Sequence, residues 1–264
     1  MRLLYHFFQI FWVAFCAVAM GMQTRLLLDL PLELTWMEGF VFCGTIFGYH
    51  CTHANRWYSV LAWAAGWAGG LLYLSTFLQH PSGWGLHSWA LVPVFFWLAY
   101  YGFERPGRVG LRAHPIAKPL TVAITWAWVT VLLPAADMPW QSLIWIGAGR
   151  AAFIFVLALA YDLSDLQYDQ ALGLQTWTGK LGVKRSFFLI YTGLGISAGF
   201  VLLNAVLGIF DVWEASILLV SLLISVFWLR GVLLTPRWVP WQKTLIDGLM
   251  MLQFVLVVLL TGGS

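Results

Sequence analysis

The chain has 264 residues, 61% of them hydrophobic and only 9% charged, with 17 Trp, 19 Phe and a formal net charge of +3. That much apolar and aromatic surface exceeds what a soluble core of this size buries, which excludes an ordinary water-soluble domain and points to an integral membrane protein. No hydrophilic block is long enough to form a separate domain, so residues 1–264 read as one transmembrane unit with membrane lipids around it and no nucleic-acid partner.

The first apolar stretch, 4–22, follows a basic start and has the outline of a signal peptide, but it is as long as a full span and no small-residue cleavage site follows it. It reads as an uncleaved first helix. Further apolar stretches of the length needed to cross hydrocarbon fall at 36–53, 57–77, 87–103, 118–135, 141–161, 186–206, 213–232 and 244–261, an all-α protein of nine transmembrane helices. Gly66 to Gly70 in the third stretch and Gly195 to Gly199 in the seventh are small-xxx-small patterns expected to let helix backbones approach closely. Trp and Tyr near the span ends read as interfacial anchors. Cys16, Cys43 and Cys51, an odd number in or beside apolar stretches, support neither a disulfide framework nor a zinc site.

With nine spans the termini lie on opposite faces. All of the 14 Lys and Arg residues except Arg25 and Arg150 then fall on the face that carries the N-terminus. Cytoplasmic loops are the ones enriched in Lys and Arg, so the N-terminus is assigned to the cytoplasm, and a bacterial inner membrane is the expected location. Arg150 lies well inside the sixth span, where a central charge costs about 2.5–3.5 kcal/mol on insertion scales. It should face the bundle and have a partner, in a structural rather than a chemical role, because Asp162 is about 18 Å further along the helix. Asp247, near the start of the ninth span, is ambiguous between the two roles.

Where the sixth span reaches the cytoplasm stands YDLSDLQYDQALGLQTWTGKLG, residues 161–182. On a helix, Asp162, Asp165 and Asp169 share one face within a sector of about 60°. Like charges so placed repel, so solvent, a basic neighbour or a metal ion must compensate. Carboxylates at this spacing suit Mg²⁺, which is commonly held by one or two carboxylates together with substrate phosphates. The plainer alternative is a solvated helix end that happens to be acidic.

The stretch resembles the second aspartate-rich motif of the UbiA superfamily of intramembrane prenyltransferases, of the form D-x-x-D-x-x-x-D-x-x-x-G-x-x-T followed by L-G. Asp162, Asp165, Asp169, Gly173, Thr176, Leu181 and Gly182 stand in its register. The resemblance implies a bundle of nine helices around a central cavity. It also implies that the three aspartates hold Mg²⁺ against the diphosphate of a prenyl donor while loop lysines and arginines steady the leaving group. A lipophilic, often aromatic, acceptor would capture the prenyl cation. Such chemistry suits the composition: a long isoprenoid tail partitions into lipid, its diphosphate stays at the polar edge, and aromatic walls can shield a cation.

The family's first motif, N-x-x-x-D-x-x-x-D, should follow the second span, yet FGYHCTHANRWYS at 47–59 contains no carboxylate. Three readings stand. His50, His53 or Asn55 supply neutral ligands or hydrogen bonds; Arg56 binds phosphate directly through its planar fork; or the ability to ionise a diphosphate has been lost. In the basic loop 104–119, Arg112 and Lys118 are the nearest counterparts of the family's diphosphate clamp, although they are not adjacent. Lys180 and Lys184 are expected either to serve the same purpose beside the aspartates or to anchor lipid headgroups. The main rival is a non-catalytic protein of the same fold that binds a lipid or a partner. An ion carrier has weak support from so few charges deep in the spans, and the paired motifs of phospholipid-headgroup transferases are absent.

Overall fold

The computed structural model describes residues 2–50, 56–79, 84–101, 111, 114–166, 177–235 and 241–261. Among these, nine α-helices follow one another: α1 (Arg2–Leu26), α2 (Trp36–His50), α3 (Arg56–Gln79), α4 (Trp84–Tyr101), α5 (Ala117–Ala127), α6 (Trp140–Ser164), α7 (Trp177–Val206), α8 (Val212–Leu234) and α9 (Gln242–Thr261). A π-helical turn, Trp128–Leu132, continues α5. Five helices contain stretches long and apolar enough to cross a membrane: Phe7–Leu26, Trp140–Ser164, Trp177–Val206, Val212–Leu234 and Gln242–Leu260. Shorter apolar segments lie at Ser88–Tyr100 and Ala117–Leu132.

Each helix packs on its neighbour in sequence, and α9 returns to pack on α1, so the chain closes into a ring; α6 also reaches across to α8 and α9. The polarity of the ring is inverted relative to a soluble domain. Phe95, Phe188, Phe227 and Leu259 point outward, whereas Gln23, Arg150, Asp162, Asn204 and Asp247 are buried. In lipid an outward apolar side chain costs nothing, and polar groups are sheltered by the bundle. The chain is an integral membrane protein.

Close helix approach occurs where glycine leaves room, though not throughout at the expected positions. A Cβ on Gly193 of α7 would sit 2.5 Å from Val156 of α6, and one on Gly149 of α6 would sit 3.0 Å from the Cβ of Phe200. Gly195 and Gly199, the pair singled out by spacing, face open space. Between α2 and α3 the contacts are Gly66 against Phe47 and Gly69 against Cys43, while Gly70 faces open space. The spacing identified the right helices, but in α7 it placed the contact on the wrong side, because only Gly193 points at α6.

Two irregularities are locally compensated. Pro93 inside α4 has no N–H to offer the carbonyl of Trp89, and the indole of Trp128 donates to that oxygen instead, at 2.9 Å. At the start of α8, Asp211 and Glu214 form a capping box, with the Glu214 N–H donating to Asp211 at 2.6 Å and the Asp211 N–H to Glu214 at 2.9 Å. Between α1 and α2, Arg25 pairs with Glu38 at 3.2 Å.

Candidate functional site

The end of α6 builds one side of the site. Asp162 lies in its last turn and Asp165 is its C-cap, with φ −91° and ψ 0°. The hydroxyl of Ser164 donates back to the carbonyl of Tyr161 at 2.8 Å, and the N–H of Asp165 donates to the same oxygen at 3.0 Å. α6 ends at Ser164, and Asp169 lies outside the described residues.

Both described aspartates are paired with lysines from other helices. Lys118, at the second position of α5, donates to Asp162 Oδ1 at 2.5 Å. Lys243, at the second position of α9, lies 2.8 Å from Asp165 Oδ2. The two pairs differ in environment: Asp162 is 4% exposed, whereas the side chains of Asp165 and Lys243 are each 35% exposed. The other oxygen of Asp162, Oδ2, is buried and has no hydrogen-bond partner among the described residues.

All four charges sit where the helix dipole disfavours them, the carboxylates at the C-terminus of α6 and the ammonium groups in the first turns of α5 and α9. Local helix preference does not explain their placement; their mutual pairing does.

A second polar layer fixes Tyr161, the residue before Asp162. Its hydroxyl donates to Asp247 Oδ2 on α9 in a short hydrogen bond, and lies 3.3 Å from the carbonyl of Lys243. Tyr49 near the end of α2 and Tyr161 pack against the same apolar core. The first turns of α9 are themselves anchored. Trp12 donates to the carbonyl of Thr244 at 3.2 Å, Trp228 to that of Leu245 at 2.9 Å, and the Gln242 amide to Val232 at 3.0 Å.

After the acidic stretch, α7 starts at Trp177, nearer the aspartates than the expected start at 186, and it is broken at Gly182. With φ 76° and ψ 165°, Gly182 occupies backbone space that only glycine enters freely. This glycine is the last position of the L-G element.

The expected site residues are therefore distributed as follows. Asp162, Asp165 and Lys118 come together. Lys180 is exposed in the first turn of α7 and forms no ion pair among the described residues. The backbone places His50 at the end of α2 and Arg56 at the start of α3, and Ile46 near the end of α2 clusters with Ile10 of α1, whose first turns meet α9 at Tyr5 and Thr244. His53, Asn55 and Arg112 lie outside the described residues. The sequence reading did not place Lys243 or Tyr161 in the site. The signal was present in the spacing of Lys243 and Asp247, four residues apart on one face of a helix that starts at the same end as the aspartates.

A small cavity of about 40 Å³ lies in the other half of the bundle, around Arg150, Ser197, Asn204 and Gln253. It has room for a few waters and not for an isoprenoid chain. Arg150 does face the bundle interior, but its described contact is the hydroxyl of Thr24 at 3.4 Å, and no carboxylate pairs with it among the described residues.

No protein-family model matches the sequence, and no curated protein matches it. A solved structure of digeranylgeranylglyceryl phosphate synthase in membranes aligns over 100% of both chains with a TM-score of 0.61 and 12% sequence identity. At that identity the likeness establishes the fold: this chain is an all-helical membrane protein built like that synthase.

Proposed function

We propose that this protein is a nine-span, UbiA-like membrane prenyltransferase that moves an isoprenoid chain from a prenyl diphosphate to a lipophilic, aromatic acceptor at the cytoplasmic end of the bundle. The observation that carries the reading is the pair of Asp–Lys contacts, Asp162 with Lys118 and Asp165 with Lys243, at one end of a fold shared with digeranylgeranylglyceryl phosphate synthase, a UbiA-superfamily enzyme. Asp162, Asp165 and Asp169 are the proposed ligands of Mg²⁺. The donor set fits a hard cation, since it consists of carboxylate oxygens and includes the unpartnered Oδ2 of Asp162. Bound there, Mg²⁺ supplies neutralisation of the charge that develops on the departing diphosphate.

The remaining work falls to the chain's own groups. Lys118 and Lys243 would offer the diphosphate oxygens charge-assisted hydrogen bonds. Lys180 and Arg112 are proposed to join this clamp, and His50, His53, Asn55 and Arg56 to supply further ligands or hydrogen bonds in place of the first motif's carboxylates. Tyr161 is a positioning residue: its bond to Asp247 fixes the last turn of α6 against α9. The C–O bond of the donor breaks with both electrons remaining on the diphosphate. The prenyl cation is captured by an electron pair of the acceptor, which then releases a proton.

The test is release of pyrophosphate from geranyl, farnesyl and geranylgeranyl diphosphate by the purified chain in detergent with Mg²⁺, set against Asp165→Asn and Asp169→Asn. Metal-dependent release by the wild type and its loss in both variants is the expected result. The second reading, a lipid-binding protein of the same fold, is favoured by the absence of any carboxylate in 47–59. It predicts binding of the diphosphate with no release.

A further inference from the structure

About 18 Å along α6 from Asp162, the bundle holds a positive charge that its own described residues do not neutralise. Arg150 is 7% exposed, and its Nη1 has no hydrogen-bond partner among the described residues. Its Nη2 donates to the Thr24 hydroxyl at 3.4 Å, a hydroxyl that already spends its proton on the carbonyl of Thr130 at 2.6 Å. Thr130 belongs to the π-helical turn after α5, so Arg150 ties α6 to α1 and α5 through neutral groups alone. The carboxylates described on α6 and α9 are engaged at the other end, Asp162 and Asp165 with lysines and Asp247 with Tyr161. A desolvated cation with no anion beside it is unfavourable unless a counterion joins it.

The space for such an ion is present. Arg150, Ser197, Asn204 and Gln253 line the cavity of about 40 Å³, with Phe153 and Leu222 among its apolar walls. Asn204 is 1% exposed, and its Oδ1 has no partner, while its amide nitrogen donates to Phe200 at 2.8 Å. Ser197 donates to the carbonyl of Gly149 at 3.0 Å, which leaves its oxygen as an acceptor. Arg150 therefore calls for a negative charge, and Asn204 and Ser197 call for hydrogen-bond donors.

We propose that this cavity binds one monovalent anion of halide size against Arg150, together with water that donates to Asn204 Oδ1 and Ser197 Oγ. The volume admits about three water-sized particles. Free phosphate, which carries about −1.5 to −2 charges near pH 7, exceeds the single charge that Arg150 balances. The site would act as a structural ion lock between α6, α7, α8 and α9, and it is independent of the transferase reading.

The experiment measures the melting temperature of the purified full chain in neutral detergent in sodium chloride, sodium bromide, sodium phosphate and sodium gluconate at matched ionic strength. Ligand that binds only the folded state raises the melting temperature by mass action. Chloride and bromide should raise it by several degrees over gluconate, phosphate should not, and Arg150→Gln should abolish the difference. Equal melting in chloride and gluconate, an equal rise with phosphate, or a rise retained in Arg150→Gln would each overturn the proposal. Should Arg150→Gln fail to fold, wild-type crystals soaked in bromide decide: an anomalous peak beside Arg150 supports the site, and density for water alone refutes it.

Discussion

The last turn and the middle of α6 carry charge in opposite ways. At the Asp162 end each described carboxylate has a lysine from another helix, Lys118 at 2.5 Å or Lys243 at 2.8 Å. Around Arg150 a buried guanidinium has the Thr24 hydroxyl, a cavity, and no carboxylate among the described residues. A bundle that needed only stability would gain more by placing an acid beside Arg150 than by placing four charges against the dipoles of three helices. On the proposed reading the paired end serves exchange: each aspartate would give up its lysine to a metal, and each lysine its aspartate to a phosphate. Arg150 would instead retain the anion proposed to neutralise it.

The largest expected effect concerns the paired end. Asp162→Asn or Asp165→Asn should reduce metal-dependent pyrophosphate release by about 10²-fold or more, the scale seen when one electrostatic partner of a transition state is removed. Both should leave the elution volume on size exclusion unchanged. A loss below tenfold in both variants breaks the comparison, since the acids would then be structural like the rest of the helix end.

Within that end, the two pairs should separate on stability. Lys118→Met leaves the 4%-exposed Asp162 without its counterion and, because Lys118 itself is 31% exposed, should cost about 1–3 kcal/mol, between a surface and a buried pair. Lys243→Met breaks a pair whose side chains are each 35% exposed and should cost less than about 1 kcal/mol. Chemical denaturation in detergent measures both, and a double-mutant cycle of Lys118→Met with Asp162→Asn isolates the coupling. Equal costs for the two lysines would erase the distinction between buried and peripheral pairs.

Between those two regions, α6 is locked to α7 by glycine contacts. Gly193→Ala would press a methyl group to 2.5 Å from Val156 and should destabilise by about 1–3 kcal/mol. Gly195→Ala meets open space and should be neutral or stabilising by up to about 1 kcal/mol. Thermal melts of the two variants side by side check the assignment.

Hydrophobic patterning made the helical membrane bundle legible, because lipid demands long apolar stretches whatever their partners. The acidic stretch was legible because Asp162 and Asp165 are conspicuous where charge is scarce. The partners were not. Lys243 lies 78 positions beyond Asp165, and nothing local marks it as its counterion rather than one more basic residue at a membrane face. α6 runs to Ser164, three residues beyond the apolar stretch that ends at 161, because the Lys118 contact lets Asp162 lie within the helix. Gly193 was passed over for Gly195 and Gly199 because spacing gives a face only when the neighbouring helix is known. Arg150 was expected to find a partner, and what it found was a cavity.

The central claim is that the aspartate end of α6 receives a diphosphate through a divalent cation. Calorimetric titration of the purified protein with a non-reactive prenyl thiodiphosphate, with and without Mg²⁺, tests it without needing an acceptor. Saturable binding that requires Mg²⁺ in the wild type and is lost in Asp165→Asn is the predicted result. Binding that is indifferent to Mg²⁺, or that survives unchanged in Asp165→Asn, would contradict it.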